Sequence, residues 1–285
     1  MASSASLQRQ PLDDRLSRRN FDRLAKYIYD YSGIKMPITK LTMLEGRLRR
    51  RLRATGATTF DGYCDFLFSG NGLEGESVYL IDAVTTNKTD FFREPKHFEY
   101  LAEAALPELL QSGSNQIRVW SSACSTGAEP YTIAMVLAEC LAQRPDTSYK
   151  VIATDLSTEV LETARRAIYT KEMVRPVPTQ MRRKYVMEAI NPRRDEVRIA
   201  PVLRQRVGFG RLNLMDEAYP LKEAQHVIFC RNVLIYFDKP TQQHVLSRLC
   251  DRLVPGGYLF IGHSETASGL NLPIRQVANT VFKRV

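Results

Sequence analysis

The sequence predicts an α/β protein with three parts: an N-terminal helical domain, a doubly wound and mostly parallel sheet, and a small antiparallel β subdomain inserted into the sheet domain. Amphipathic helical patterns fill the chain as far as Val84, and strand-like and helix-like segments alternate after Lys96. A chain of 285 residues is long enough for one large domain or two linked domains.

The N-terminal helical domain is predicted over residues 17–84, after a polar segment, 1–16, that we expect to be mobile. Its first helix should span Ser17–Tyr31, because apolar residues recur there at helical spacing. These apolar residues are Phe21, Leu24, Ala25, Ile28 and Tyr31. Gly33 is expected to end the helix.

The second helix of this domain combines an apolar stripe with a basic flank. Thr39 is expected to cap the helix. The stripe consists of Leu41, Leu44, Leu48 and Leu52. The basic side chains are Lys40, Arg47, Arg50 and Arg51. Because their own helix offers them few anions, we expect them to bind an acidic partner, the alternative being an ordinary solvated helix face.

Two short helices, Phe60–Phe68 and Ser77–Val84, should complete the helical domain. A dense polar stretch with two aromatic residues, 85–95, follows them and precedes the α/β part. We interpret this stretch as a connector that contributes to the active site.

The α/β part is predicted over residues 96–285. Its helices are expected at 96–110, 130–142, 157–168 and 240–253. Ser157 should cap the third of them. Its strands are expected at 117–123, 149–154, 226–230, 255–262 and 276–285. The inserted β subdomain, about 169–212, is predicted to hold a helix at 179–187 and strands at 196–200 and 206–212.

A polar turn, Cys124–Glu129, joins the first strand to the next helix, and Asp155 closes the second strand. Such a turn brings backbone N–H groups and a helix N-terminus close to a ligand, and an acid at the end of the next strand can bind ribose hydroxyls. Gly127 is the turn's one glycine, which favours a nucleoside without phosphates over a pyrophosphate. The alternative is an ordinary βαβ unit with capping acids.

Composition and charge restrict the classes that remain. A net charge of +9, from 40 Lys and Arg against 31 Asp and Glu, predicts attraction to nucleic acid, an anionic membrane or an acidic protein surface. Five cysteines without a CxxC pair and four scattered histidines argue against a disulfide framework and a metal site, so we predict no metal. Apolar runs fall short of the roughly 20 residues of a membrane helix, and we expect a cytoplasmic protein.

Five motifs resemble those of the CheR family of chemoreceptor glutamate methyltransferases, in the family's order along almost the whole chain. They are Thr85–Glu94, Ser125–Tyr131, Asn213–Leu214, Phe229–Asp238 and Gly262–Glu265. The resemblance implies the fold of an adenosylmethionine-dependent methyltransferase, with S-adenosylmethionine as methyl donor and S-adenosylhomocysteine as product. It also implies receptor glutamate side chains as methyl acceptors, which become glutamyl methyl esters.

The resemblance further implies which residues form the site. Cofactor contacts are implied for Asn87, Thr89, Arg93, Glu129, Asp155, Asn213, Leu214, Arg231 and Asn232. Arg93 and Tyr236 would lie nearest to the reacting methyl group and are the candidate catalytic residues. The helical domain would face the receptor's methylation region. The candidate substrate contacts there are Lys40, Arg47, Arg50 and Arg51.

The implied cofactor roles agree with the chemistry of these side chains. Asp155 can accept hydrogen bonds from both ribose hydroxyls, while Asn213 and the chain after strand 226–230 can read the adenine edge. Arg93 could pair with the cofactor carboxylate or orient the substrate carboxylate.

Each candidate catalytic residue has a structural alternative. Arg93 could instead form an ion pair with Glu94 or Asp90, and Tyr236 could be a core aromatic residue beside Phe237. The expected mechanism is direct displacement at the sulfonium methyl by a glutamate oxygen. An unperturbed glutamate has a pKa near 4.3 and is ionised at neutral pH, so no general base is required.

Two other functions remain open at this point. A nucleic-acid methyltransferase would fit the basic charge, but the chain lacks an Asn-Pro-Pro-Tyr motif and its aromatic residues do not interleave with the basic helix. The second alternative is a non-catalytic scaffold that binds adenosylmethionine. We expect a monomer, and the inserted subdomain could bind a peptide from the receptor's C-terminus by strand addition.

Overall fold

The computed structural model describes residues 14–191 and 193–285 of the chain. The chain divides into two compact units, one ending at Thr86 and the other spanning Asn87–Val285. Most of the terminus that we expected to be mobile, residues 1–13, lies outside the described residues. Within the described part, no helix is both long enough and apolar enough to cross a membrane.

The first unit is helical. Its helices are α1 (Arg18–Ser32), α2 (Leu41–Thr55), α3 (Phe60–Ser69) and α4 (Gly72–Val84). Gly33 ends α1 as predicted: it adopts a left-handed conformation, with φ of 72°, and its N–H donates to the Tyr29 carbonyl. The prediction that Thr39 caps α2 was wrong, because Thr39 lies inside a 3₁₀ turn, Ile38–Lys40, that leads into the helix.

The apolar stripe of α2 packs into the core of this unit. Leu44, Leu48 and Leu52 are at most 1% exposed, and α1 and α3 contribute further buried apolar side chains. These are Phe21, Leu24, Ile28, Phe60, Tyr63, Cys64 and Leu67. The helical spacing in the sequence therefore identified the buried face correctly for these three leucines, whereas Leu41, also predicted in the stripe, is half-buried.

A buried ion pair joins α2 to α4. Arg51 donates to both carboxylate oxygens of Glu76 at 2.7 Å, and the Tyr63 hydroxyl donates to the same carboxylate at 2.9 Å. The Arg51 side chain is 13% exposed and that of Glu76 is 6% exposed. Solvent therefore screens this pair little, and each charge depends on the other.

The second unit is built on a seven-stranded sheet. Its strands are β1 (Gln116–Ser121), β2 (Ser148–Asp155), β6 (Val207–Arg211), β7 (Gln225–Cys230), β8 (Leu253–Ile261), β9 (Ile274–Ala278) and β10 (Val281–Arg284). The strand order is β6-β2-β1-β7-β8-β10-β9. Five of these strands pair in parallel, and β10 runs antiparallel to both β8 and β9. The predicted doubly wound and mostly parallel sheet is confirmed.

Helices of the second unit connect these strands. They are α5 (Lys96–Tyr100), α6 (Leu106–Gln111), α7 (Ala128–Cys140), α8 (Thr158–Arg166), α9 (Thr179–Tyr185), α10 (Pro201–Arg204) and α11 (Lys239–Asp251), with a π-helical turn between α5 and α6. All six residues of β7 are buried, as expected for a central strand covered on both faces.

Two strand predictions need correction. The segment 206–212, expected in the inserted subdomain, forms β6 of the main sheet and pairs in parallel with β2. Its period-two pattern reflects its place at the sheet edge, where part of the strand is exposed. The closing strand, expected over 276–285, is the hairpin of β9 and β10.

The inserted segment forms a separate antiparallel sheet. Its strands are β3 (Ile168–Tyr169), β4 (Val186–Glu188) and β5 (Val197–Ile199). The strand order is β3-β5-β4, so β3 and β4 are its two edges. A small antiparallel sheet was predicted here and is confirmed.

The Arg51–Glu76 pair generates a stability prediction. We expect Arg51→Met to lower the free energy of unfolding by about 3 kcal/mol, because the substitution leaves the Glu76 carboxylate buried without its cation. Urea unfolding of the full chain would measure the loss. Arg53→Met removes an exposed arginine from the same helix and should change stability by less than about 0.5 kcal/mol. Equal effects of the two substitutions would contradict the buried-pair interpretation.

Candidate functional site

The site lies at the carboxyl edge of the sheet, where the strand order reverses. β1 and β7 are parallel neighbours that end at Ser121 and Cys230, and their onward connections lead to opposite halves of the sheet. Ligands of doubly wound folds bind in the crevice at such a reversal point. β2 ends beside β1, and the Leu212 N–H donates to the Asp155 carbonyl at 3.0 Å, which brings the end of β6 to the same edge.

The turn between β1 and α7 requires its glycine. Gly127 has a φ of 92°, which favours glycine, and it immediately precedes α7. A Cβ atom at this position would come within 2.9 Å of the Tyr169 hydroxyl and of the Ala164 Cβ. The backbone of this turn therefore packs closely against α8 and β3, and only glycine fits.

Asp155 joins this turn to the end of β2. Its carboxylate accepts the N–H of Ser125 at 2.8 Å and that of Ser157 at 3.0 Å. The Ser125 hydroxyl in turn donates to the Asn87 carbonyl at 2.6 Å. The structure thus brings three segments of the sequence together around Asp155.

Ser157 precedes α8, as predicted, but it does not cap the helix through its side chain. Its hydroxyl is buried and has no hydrogen-bond partner among the described residues. The Asp155 carboxylate binds the Ser157 N–H instead. The capping prediction for the Ser157 hydroxyl was therefore wrong.

Arg231, directly after β7, binds two acids at once. Its guanidinium donates to Glu94 at 2.8 and 3.3 Å and to Glu129 at 3.1 Å. It also donates to the Arg93 carbonyl, and its side chain is only 2% exposed. Because the guanidinium is used in these contacts, it links the connector and α7 to the end of β7.

The pKa values of the two acids that bind Arg231 shift in opposite directions. Burial alone would raise the pKa of the Glu94 carboxyl, but hydrogen bonds and charge from Arg231 outweigh burial and lower it to about 2. Burial raises the pKa of Glu129, against the opposing influence of Arg231 and of the Ser121 hydroxyl, which donates to Glu129 at 2.7 Å. Both acids accept hydrogen bonds on both oxygens.

Arg93 makes a different contact from the structural alternative considered above. Glu94 forms its ion pair with Arg231, whereas Arg93 donates through Nη1 to the Lys88 carbonyl at 2.9 Å. Arg93 is half-buried in the connector. Phe91 anchors this connector in the core at 1% exposure, and the Phe92 N–H donates to the Thr132 hydroxyl at 3.2 Å.

Tyr236 lies at the end of a 3₁₀ turn, Leu234–Tyr236, that follows Arg231 and Asn232. It is half-buried, whereas its neighbour Phe237 is buried. The Asn232 side chain donates to Glu94 at 3.2 Å. Arg231 and Asn232 therefore both contact the connector through Glu94.

Left-handed backbone conformations concentrate at this edge. Phe92, Glu94, Ser125 and Asn232 all have φ between 49° and 59° without being glycine. Each such residue costs on the order of 1 kcal/mol and persists only where its surroundings hold it. Strain of this kind gathers at functional sites, which supports the location of the site.

Two of the predicted cofactor-contacting residues, Asn213 and Leu214, follow β6. Asn213 and Leu214 lie one and two residues beyond Leu212, which bonds to the Asp155 backbone. The Asn213 side-chain oxygen accepts the Met215 N–H at 3.0 Å, and the Leu214 carbonyl accepts the Tyr219 hydroxyl. Thr89 is half-buried in the connector.

Three groups with metal-binding atoms also meet here, which sequence spacing did not reveal. Ligand atoms of Glu94, His97 and His263 lie within 4.8 Å of one another. The description of the histidines as scattered was therefore wrong for His97 and His263. Because the Glu94 carboxylate already binds the Arg231 cation, a second cation would be repelled, and we keep the prediction that no metal binds.

The basic helix α2 carries the candidate substrate contacts in the first unit. Arg47 donates to the Val84 and Thr85 carbonyls at 2.6 Å, and Arg51 binds Glu76. Both guanidinium groups thus stabilise their own unit. Arg50 is exposed and Lys40 is half-buried.

Sequence reasoning missed the roles of Glu94 and Glu265. Glu94 was considered only as a partner for Arg93, and Glu265 ended a motif to which no role was assigned. Glu265 is 8% exposed and accepts backbone N–H groups from the Arg231–Tyr236 region. The sequence did point to both glutamates, because each lies inside a motif that resembles the CheR family.

Three features define the fold of an adenosylmethionine-dependent methyltransferase. They are the strand order of the sheet, the acid that ends β2, and a glycine turn that lacks a pyrophosphate motif. The Gly127 cradle and the carboxylate of Asp155 fit a nucleoside ligand. Family models agree: the CheR methyltransferase SAM binding domain matches residues 87–282, and the CheR methyltransferase all-alpha domain matches residues 19–85. The chain belongs to the CheR methyltransferase family, and its cofactor is S-adenosylmethionine.

Similar proteins cover almost the whole chain. A chemotaxis protein methyltransferase of Escherichia coli is 42% identical, covering 94% of this chain and 91% of its own. One from Borreliella burgdorferi is 37% identical over 96% of each chain. A solved rRNA methylase from Streptococcus thermophilus is 12% identical, covers 70% of this chain and 99% of its own, and has a TM-score of 0.37, too distant to inform the site.

His97 generates a pH prediction. Burial, followed by the charge of Arg231, lowers its pKa from 6.5 to about 4, and its ring is 1% exposed. The unfolded chain therefore binds a proton more readily between these values. The free energy of unfolding should therefore fall as the pH drops from 6.5 towards 4. His97 should account for a loss on the order of 3 kcal/mol.

His97→Gln should reduce this loss of stability, as measured by urea unfolding at a series of pH values. The glutamine retains a polar group for the Thr280 hydroxyl, which bonds His97 at 2.8 Å. His244→Gln, at an exposed position of α11, controls for the substitution itself. An unchanged pH dependence in His97→Gln would contradict the assignment.

Proposed function

We propose that this methyltransferase transfers methyl groups to glutamate side chains of chemoreceptors and so forms glutamyl methyl esters. The proposal rests on one observation, namely that the acids at the sheet edge are hydrogen-bonded to donors of the protein. Glu94, Glu129 and Glu265 each bind donors from the protein itself, so none of them is placed as a general base. A carboxylate acceptor needs no base, because glutamate is ionised at neutral pH. The similar proteins are named chemotaxis protein methyltransferases, which supports a protein acceptor that acts in chemotaxis.

For the cofactor, we assign the ribose hydroxyls to Asp155 and the adenine edge to Asn213 and Leu214. Asp155 has the charge to accept two hydroxyl donors, and its backbone bond to Leu212 brings the adenine-binding segment close. Asn87, Thr89, Arg93 and Asn232 are the further proposed contacts. Glu129 and Arg231, also predicted as contacts, are proposed to act mainly by holding one another and the connector in place.

Bound S-adenosylmethionine supplies a methyl group on a positively charged sulfur. Arg93 and Tyr236 are proposed to bind and orient the acceptor carboxylate, Arg93 by its charge and Tyr236 by its hydroxyl. Their main contribution would be alignment, which can supply several kcal/mol by proximity alone. Phe91 anchors the connector in the core and the end of β7 is buried, so these two elements support Arg93 and Tyr236.

In the helical unit, Lys40 and Arg50 are the proposed contacts to the acidic methylation region of the receptor. Arg47 and Arg51 were predicted to share this role, but their guanidinium groups already bind carbonyls and Glu76. We therefore propose that these two arginines mainly support α2. Arg50, which is exposed, and Lys40, which is half-buried, are proposed to provide more of the attraction by charge.

A receptor C-terminal peptide is a further proposed partner of the small antiparallel sheet. Edge strand β4 carries Met187, 50% exposed, beside a cavity of about 590 Å³ that Arg194 and Arg198 also line. An exposed strand edge with apolar side chains beside it suits an extended peptide, and both cations and the acids Glu188 and Glu196 line the cavity. The remaining proposals are that the protein acts as a monomer in the cytoplasm and that the domains divide at the connector, 85–95. The inserted subdomain, predicted at about 169–212, is proposed to end before β6.

The function is tested with radiolabelled adenosylmethionine and membranes that carry chemoreceptors. Receptor label that leaves as methanol in mild base would establish carboxyl methylation. Label that resists base, or label in added RNA or DNA, would overturn the proposal.

Asp155→Asn should weaken S-adenosylhomocysteine binding by about tenfold or more, measured by titration calorimetry. An amide loses the charge that strengthens its hydrogen bonds, worth about 1.5–3 kcal/mol. Asp251→Asn, at an exposed position at the end of α11, is the matched control and should bind like wild type. An affinity of Asp155→Asn within twofold of wild type would refute its proposed role.

Replacing Lys40 and Arg50 together by Ser should raise the KM for receptor several-fold at low salt, with little change in the KM for adenosylmethionine. The difference should shrink as salt increases, because screening weakens attraction between exposed charges. Arg18 and Lys26, exposed on α1, give a control double variant with the same loss of charge. If both double variants raise the KM equally, net charge rather than this face attracts the receptor.

A further inference from the structure

Glu265 is not among the proposed catalytic or cofactor-binding residues, yet its side chain is buried in the site. It follows β8 and is 8% exposed. A buried carboxylate is costly unless several donors satisfy it. Its surroundings therefore indicate what it does.

Four backbone N–H groups donate to the Glu265 carboxylate. Oε1 accepts from Leu234 at 2.7 Å and from Ile235 at 3.3 Å. Oε2 accepts from Asn232 at 3.0 Å and from Gly262. Three of these donors belong to the turn that leads from β7 into the 3₁₀ segment ending at Tyr236.

The fit around this carboxylate leaves no spare room. A Cβ atom on Gly262 would come within 2.8 Å of Glu265 Oε2 and of the Asn232 nitrogen. Asn232 itself has a φ of 59°, a conformation that needs external support. Glu265 provides that support through the Asn232 N–H, while Glu94 binds the Asn232 side chain.

We propose that Glu265 is a positioning residue that folds the Asn232–Ile235 turn and so sets the place of Tyr236. This inference rests on the proposed function, in which Tyr236 orients the acceptor carboxylate. Tyr236 directly follows Ile235, and its N–H donates to the Val233 carbonyl at 3.1 Å. A displaced turn would therefore displace the Tyr236 backbone.

The same contacts restrict how the substrate is bound. The N–H groups of Asn232, Leu234 and Ile235 face Glu265, so they do not bind a substrate carboxylate. Recognition of the acceptor at this turn therefore falls to side chains, Tyr236 from the turn and Arg93 from the connector.

The test uses the full chain with Glu265→Gln, Tyr236→Phe and the double variant. Receptor carboxyl methylation is measured over a range of adenosylmethionine concentrations up to saturation. Glutamine keeps one acceptor oxygen but turns an NH₂ group towards backbone donors. We expect Glu265→Gln to lower kcat by about 10- to 100-fold, with a smaller change in the KM for adenosylmethionine. In the Tyr236→Phe background, the same substitution should change kcat by less than about twofold, because both act through one group.

The proposal would be overturned if the loss of kcat in the double variant equalled the product of the losses in the two single variants. A kcat of Glu265→Gln within twofold of wild type would also overturn it. Where activity is too low to compare, hydrogen exchange decides: amides of 232–236 should exchange faster in Glu265→Gln, and unchanged exchange there refutes the role. Gly262→Ala, which crowds the same carboxylate, replaces Glu265→Gln if that variant does not fold.

Glu223→Gln, at an exposed position before β7, is the control and should keep wild-type kcat. If the proposed function were wrong, the wild-type protein itself would produce no base-labile label on the receptor.

Discussion

One buried cation holds the site together. Arg231 lies at the reversal point of the sheet and binds Glu94 from the connector and Glu129 from α7, together with the Arg93 carbonyl. Removing a guanidinium from water is expensive, and two acids with a carbonyl compensate for it only while all are in place. Removing one partner of a buried pair typically costs 3–5 kcal/mol, so the connector and α7 are fixed to the end of β7 as one arrangement.

This arrangement explains why strained backbone and unreactive acids occur together. Glu94 and Asn232 adopt left-handed conformations that their bonds to Arg231, Glu265 and each other maintain. The same kind of bond occupies the carboxylates of Glu94, Glu129 and Glu265, so these acids are not placed as bases. A methyltransferase whose acceptor is already ionised needs alignment of the acceptor with the methyl group more than it needs proton transfer. A rigid set of internal ion pairs can hold the residues that provide this alignment.

The sequence was informative wherever a local pattern has one physical cause. Buried strands, the end of α1 at Gly33 and the position of Asp155 follow from hydrophobic runs and from special backbone conformations. Partners far apart in the chain were not predictable: Glu76 lies 25 residues from Arg51, and Glu94 lies 137 residues from Arg231. β6 was misplaced because an edge strand of a parallel sheet is partly exposed, as an antiparallel strand can be.

Hydrogen exchange of the connector, residues 85–95, in Arg231→Lys tests the central claim most directly. Lysine keeps the charge, but it lacks the planar fork that binds two acids and a carbonyl together. If Arg231 holds the connector, its amides should exchange at least tenfold faster in the variant, while those of β1 and β7 stay protected. Connector exchange equal to that of the wild-type protein would show that the site is assembled without this bridge.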